Sequence, residues 1–380
     1  MQESNLEIMN DPYFENFVKR RKLSESTERV YYGRLRAFCY FLGKNPSQLI
    51  EDAKNNEQKI DSHFQNYIQN LKSSGKSSST IINSVDTIKA FYSEYNIDTV
   101  NVKLIIAPDT ENLTSNKVIS EDQIKEALEL SNLRDKAIIL LHLTSGMEAT
   151  ELRYLNYGDF INSIEEYIDL NFEDKFNVNK IANKLFKMDK VIGAWKIEKK
   201  RTFKPYVTFN SPESTKAILS YLIDRERKNK PIKSLKDPLF VNSQNQALNV
   251  SAHTSIFKRV NERANFGYLT KKRRFFSSTM LRKYFKTKLH ESGLDESTIS
   301  AILGQKLDIN RNYHSDFEIK ILKNKYMMAL GNLSIENANI GTVTNEEYEN
   351  LLKKLNEKDK ELEEIKKYLN YINKPLNKNH

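Results

Sequence analysis

Apolar residues in the first hundred positions recur at helical spacing between polar breaks. Tyr31, Leu35, Phe38 and Leu42 share one helix face, which Gly43 and Pro46 terminate. The stretch Ser73-Ser74-Gly75-Lys76-Ser77-Ser78-Ser79 is a loop by composition, and Ile81, Val85, Ile88, Tyr92 and Tyr95 then repeat on a second helical face. Together these predict a small all-helical domain over residues 1–106. The pattern lapses between Val100 and Lys117, through Pro108 and a polar string, so 107–119 reads as a linker. Ser120 with Gln123 forms a capping box that opens the next helix.

A second domain is predicted over residues 120–333, mainly α with a small β-sheet. Its text is helical to about Leu155. Short β-rich runs follow between Phe160 and Phe209, notably Tyr206–Phe209 after the basic stretch Lys199–Lys204. Ser211-Pro212-Glu213 caps another helix, with Ala217, Ile218, Tyr221 and Leu222 on its inner face, and helical patterning continues to about Leu330. The tail, 334–380, has a different character. Tyr348, Leu351, Leu355, Leu362, Ile365, Leu369 and Ile372 take alternating heptad positions, interrupted at Lys358, and Thr344 with Glu347 caps a coiled-coil-like helix over about 344–373. Such a helix serves self-association or partner docking as readily as packing on its own body.

Composition narrows the function. Lys and Arg number 60 against 50 Asp and Glu, a formal charge of +10, which favours a polyanionic partner, nucleic acid first. No run of eighteen apolar residues exists and the N-terminus lacks a signal-peptide layout, so a cytoplasmic protein without a membrane span is expected. Cys39 is the only cysteine; this excludes an internal disulfide, an iron–sulfur site and a multi-cysteine zinc site, and Cys39 itself reads as core. No cofactor or metal is called for. His63, His142, His253, His290 and His314 are scattered, and His314 reads as structural.

The segment from Lys271 to Lys288 carries eight basic residues and no acidic one, with aromatics interleaved. Like charges at helical spacing repel, so a bound polyanion is a more economical explanation than a solvated face. Lys271, Lys272, Arg273, Arg274 and Lys283, with Arg201 in the earlier basic stretch, are the candidate phosphate contacts.

Within that segment Thr279-Met-Leu-Arg282-Lys283, followed by Leu303-Gly304-Gln305 and then Tyr313, resembles the C-terminal signature of tyrosine recombinases, the phage integrase family. In that family the pattern is His-x-x-Arg, Leu-Gly-His and a nucleophilic tyrosine. Leu133 to Leu152, with Ser145-Gly146-Met147-Glu148, is similar to the helix and turn that carry the family's first arginine. Lys200–Phe209 matches its β-hairpin lysine region, and the N-terminal helices resemble its core-binding domain. The resemblance covers roughly residues 10–333 and its wording is most like archaeal integrases.

The resemblance implies metal-free phosphoryl transfer. Tyr313 would attack a DNA phosphate to form a 3′-phosphotyrosyl link, Arg282 would hold the developing charge with its planar fork, and Lys200 would protonate the departing 5′-oxygen, with Arg201 as the competing alignment. It also implies double-stranded DNA as partner, a homotetramer on that DNA, and association with the nucleoid. Three positions depart from the pattern. Glu148 stands in place of the first arginine, and Thr279 and Gln305 in place of the two histidines, while the interval from Gln305 to Tyr313 is one residue short. Losing one cationic clamp in phosphoryl transfer costs ~10³-fold or more. Arg153, five helical residues on, lies on a different face from Glu148. Thr279 and Gln305 can still donate to phosphate as neutral groups. Two readings follow: a site-specific recombinase with a weakened active centre, or a non-catalytic DNA-binding or recombination-accessory protein that keeps the fold. A helical scaffold organised by the heptad tail is a third, and the clustering of charge at the signature counts against it.

Overall fold

Local capping signals set most helix starts. The computed structural model describes residues 7–55, 58–99, 117–169, 174–199, 205–270, 273–305 and 316–335. The chain divides into two compact units, Met1–Ser115 and Asn116–His380.

Among the described residues the first unit contains five helices: α1 (Pro12–Arg20), α2 (Glu25–Leu42), α3 (Pro46–Asn55), α4 (Gln58–Ser73) and α5 (Ser78–Ser93). Asp11 caps α1 through a 2.9 Å bond from Tyr13 N, and its other carboxylate oxygen accepts from Ser47 N at 3.0 Å, tying α1 to α3. Gly43 ends α2 in the left-handed region at φ 66, the conformation a helix terminus needs and glycine adopts without strain. The core is aromatic: Phe14, Phe17, Phe38, Phe64, Phe91 and Tyr92 are buried together. Phe17 meets Phe91 edge-on at 5.5 Å. Cys39 sits in this core, and burial, with the nearby Asp11 charge, pushes its thiol pKa up to about 12.

In the second unit α6 (Glu121–Glu129) starts at the Ser120–Gln123 capping box. Next comes α7 (Leu133–Ser145), buried on every side from Ala137 to Ser145, which a surface helix with one apolar stripe could not be. It is the axis of the unit. Around it lie α8 (Ala149–Tyr154), β2 (Pro205–Asn210), α11 (Pro212–Arg227) and α13 (Ser278–Glu291). β2 pairs antiparallel with β1 (Gly193–Glu198), in a register from Gly193–Asn210 to Glu198–Pro205. A second two-stranded sheet joins β3 (Tyr268–Thr270) to β4 (Arg273–Arg274). The remaining helices are α9 (Tyr157–Ser163), α10 (Val178–Leu185), α12 (Val250–Arg263), α14 (Glu296–Ile302) and α15 (Asp316–Leu333). Among the described residues the unit is mainly helical with two small sheets.

Two expectations need correction. The β-rich run expected from Phe160 onward is helical in α9 and α10, and among its described residues only 193–198 and 205–210 are strands. Asn156 and Asn177 cap those helices, and Val178, Ile181, Ala182 and Leu185 bury one helical face. Helical patterning also does not run unbroken from Ser211 to Leu330, because the β3–β4 hairpin intervenes. The buried Asn261 side chain donates to Gly267 O at 3.0 Å and accepts from Phe276 N at 2.8 Å, pinning both arms of that hairpin. The heptad tail lies outside the described residues.

Candidate functional site

The site begins where α7 ends. Gly146 turns the chain at φ 62 with Phe285 packed against it, so that a Cβ would come within 2.4 Å of the phenyl ring; only glycine fits. Glu148 follows as the residue that opens α8. Arg282, on α13, donates to Gly146 O and, at 3.0 Å, to Leu303 O, so its guanidinium bridges the carboxyl ends of α7 and α14. Its outer edge lies 3.7 Å from Glu148 Oε1. Lys199 Nζ approaches the same oxygen at 3.3 Å.

Strand alternation places that lysine. Trp195 and Ile197 face the core from β1, and Lys199 continues on their side just beyond the strand. Beneath it Tyr206 donates to Glu151 Oε2 at 2.6 Å, and Glu148 N donates to the same oxygen at 2.7 Å. Burial and the adjacent carboxylate hold the Tyr206 hydroxyl pKa well above its usual value, so the neutral phenol donates to Glu151. Gly304 meets the Tyr206 ring, 2.6 Å from where a Cβ would stand, at φ 58. The glycines of both signature segments thus serve one joint.

The structure brings Glu148 and Arg282 together and adds Lys199. Thr279 is exposed in the first turn of α13, three residues before Arg282 and on the same side of the helix. Gln305 is exposed beyond α14, its backbone N–H bonded to Ser300 O at 2.8 Å. Arg273 is exposed on the hairpin, Arg274 lines a cavity beside it, and Lys283 donates to Lys117 O at 3.3 Å. Tyr313, Lys200, Arg201, Lys271 and Lys272 lie outside the described residues.

One buried constellation left little trace in the sequence. His142 Nε2 and His253 Nε2 are 2.9 Å apart, and His142 Nδ1 lies 3.0 Å from Met147 O. The carbonyl can only accept, so His142 carries its proton on Nδ1, and His253 donates from Nε2 to His142 Nε2. Burial, with the neighbouring histidine, lowers the His142 pKa to about 3; burial and Arg153 lower that of His253 to about 4. His142 could be suspected from the apolar run Ala137–Leu143 that contains it. Nothing local pointed to His253.

Residues 117–315 match the phage integrase family. The chain belongs to that family. Among solved structures this integrase is similar to the XerH site-specific recombinase in a post-cleavage complex with palindromic difH substrate, at 18% identity and a TM-score of 0.51, covering 77% of this chain and 77% of that one. It is also similar to a dimer of lambda integrase residues 75–356 bound to a COC′ core site, at 14% identity and a TM-score of 0.50, covering 78% of this chain and 90% of that one. Both likenesses show the tyrosine-recombinase fold. No curated protein sequence matches the chain.

Proposed function

We propose that this integrase is a site-specific DNA recombinase of mobile-element type, acting on double-stranded DNA through a 3′-phosphotyrosyl intermediate at Tyr313. The observation that carries this reading is Arg282, fixed between Gly146 O and Leu303 O with its outer edge 3.7 Å from Glu148 Oε1, and Lys199 converging on the same oxygen. A planar fork held in advance is what phosphoryl transfer asks of the protein, because the transition state gains charge on its equatorial oxygens. The cation that protonates the leaving 5′-oxygen comes from the β1–β2 turn, as Lys200 or Lys199, with Arg201 the poorer acid. The basic positions 271–274 and Lys283 contribute phosphate contacts along the backbone.

The active centre is weakened. Glu148 places a carboxylate against Arg282 and Lys199 at the family's first arginine, and Thr279 and Gln305 substitute neutral donors for two histidines. The first unit acts as the core-binding domain, the protomers assemble as a tetramer on DNA at the nucleoid, and the heptad tail supports assembly or docks a partner. The wording of the motifs aligns the chain with archaeal integrases. The same Glu148 pairs favour a second reading, a non-catalytic DNA-binding or accessory protein with a degenerate centre. The two separate on a nicked duplex carrying the element's attachment site. A recombinase leaves a covalent protein–DNA adduct on a denaturing gel that Tyr313→Phe abolishes while duplex binding persists. Binding without any adduct selects the accessory reading.

A further inference from the structure

A second cationic recess lies on the far side of α8 from Glu148. Arg153, from α8, and Arg274, from β4, line a cavity of about 250 Å³ together with Thr150, Thr254, Ser277 and Ser278. That is ample for a phosphate group, since a water molecule takes roughly 30 Å³ of liquid. No carboxylate lines it, and neither arginine pairs with an acidic side chain among the described residues. In this respect it differs from the Arg282 site, whose cations share Glu148. His253 closes the floor as the outer member of the neutral histidine pair, so the charge of the recess is that of its two guanidinium groups.

Two guanidinium groups that line one recess without an acidic partner, Arg153 lying over the Tyr154 ring, leave their like charge uncompensated and have donors left over. A bound anion with several acceptor oxygens resolves both costs. We propose that the Arg153–Arg274 cavity is a second phosphate site, which takes a DNA backbone phosphodiester other than the one facing Arg282. It rests on the DNA-binding reading above. Such a site positions the duplex without reading its sequence, as phosphate contacts do. It also supplies charge that Glu148 removes from the reacting centre.

The test is the salt dependence of binding by the full chain to a short labelled duplex of arbitrary sequence. Each phosphate neutralised contributes about 0.9 to the slope of log K against log salt. The Arg153→Gln/Arg274→Gln variant is expected to flatten the slope by about 0.9, and Arg153→Lys/Arg274→Lys to retain it. Both arginines are partly exposed, and the fluorescence of the single tryptophan, Trp195, buried in the same unit, checks folding. An unchanged slope in the glutamine pair overturns the site, as does an equal loss in the lysine pair. If instead millimolar inorganic phosphate raises the urea midpoint of the wild type but not of the glutamine pair, with the duplex slope unchanged, the recess takes a free anion and the DNA assignment fails. Absence of salt-dependent binding by the wild type would sink the DNA reading itself, an outcome distinct from all of these.

Discussion

Replacing Glu148 with glutamine should tighten duplex binding five- to tenfold. The carboxylate oxygen lies 3.7 Å from Arg282 and 3.3 Å from Lys199. Its side chain is 50% exposed, so a water-like dielectric applies and each pair is worth about 1 kcal/mol. A phosphate arriving between the two cations leaves Glu148 two courses. It can stay, about 4 Å from the new anion, at a repulsion of about 1 kcal/mol, or swing away and forfeit both pairs at about 2 kcal/mol. The cheaper course sets the minimum, about 1 kcal/mol, and exclusion of water by DNA raises it toward 1.4 kcal/mol, a factor of ten. Glutamine keeps the shape and removes the charge. Fluorescence anisotropy with a labelled duplex, titrated at several salt concentrations, reads the affinity. The gain should shrink as salt rises, because the pairs and the repulsion are both screened. Equal or weaker binding by Glu148→Gln at low salt would refute the claim that this carboxylate competes with phosphate.

On the proposed alignment of Glu148 with the family's first arginine, Glu148→Arg should raise the rate of adduct formation on the nicked attachment-site duplex by ~10³-fold, and an unchanged rate would refute that alignment. Gly304→Ala places a Cβ 2.6 Å from the Tyr206 ring at φ 58, so it should lower the stability of the second unit by roughly 2 kcal/mol or more; an unshifted urea midpoint, followed by Trp195 fluorescence, counts against that packing. The buried histidines add a pH dependence. Their folded pKa values, about 3 and about 4, lie below the ordinary 6.5, so the unfolded chain takes up protons first. The stability they confer is complete above about pH 6.5 and falls as pH drops toward 4, by about 2 kcal/mol per histidine between pH 7 and 5. His253→Gln should halve that loss in urea midpoints at the two pH values, and an identical loss in variant and wild type would remove the pair from the explanation.

Features that a few neighbouring residues specify were legible before any packing was known. The Ser120–Gln123 capping box, the Gly43 terminus, the apolar faces of α2 and α5 and the strand Tyr206–Phe209 are written within one turn or one strand, where propensity and capping decide. The order of the family motifs was equally readable, and with it Arg282 and Glu148 as candidate site residues. What those residues meet emerges only from the packed fold. Arg282 reaches Gly146 across 136 positions, Lys199 reaches Glu148 across 51, and His142 finds His253 across 111. The helices at 157–185 and the β3–β4 hairpin likewise depended on context, the hairpin on Asn261 bonding to Gly267 and Phe276. The physical reason is the range of the forces. Capping and periodicity act between residues a few apart, whereas ion pairs, buried imidazole contacts and cavities exist only once α7, α8, α13 and the two hairpins have packed together and excluded water.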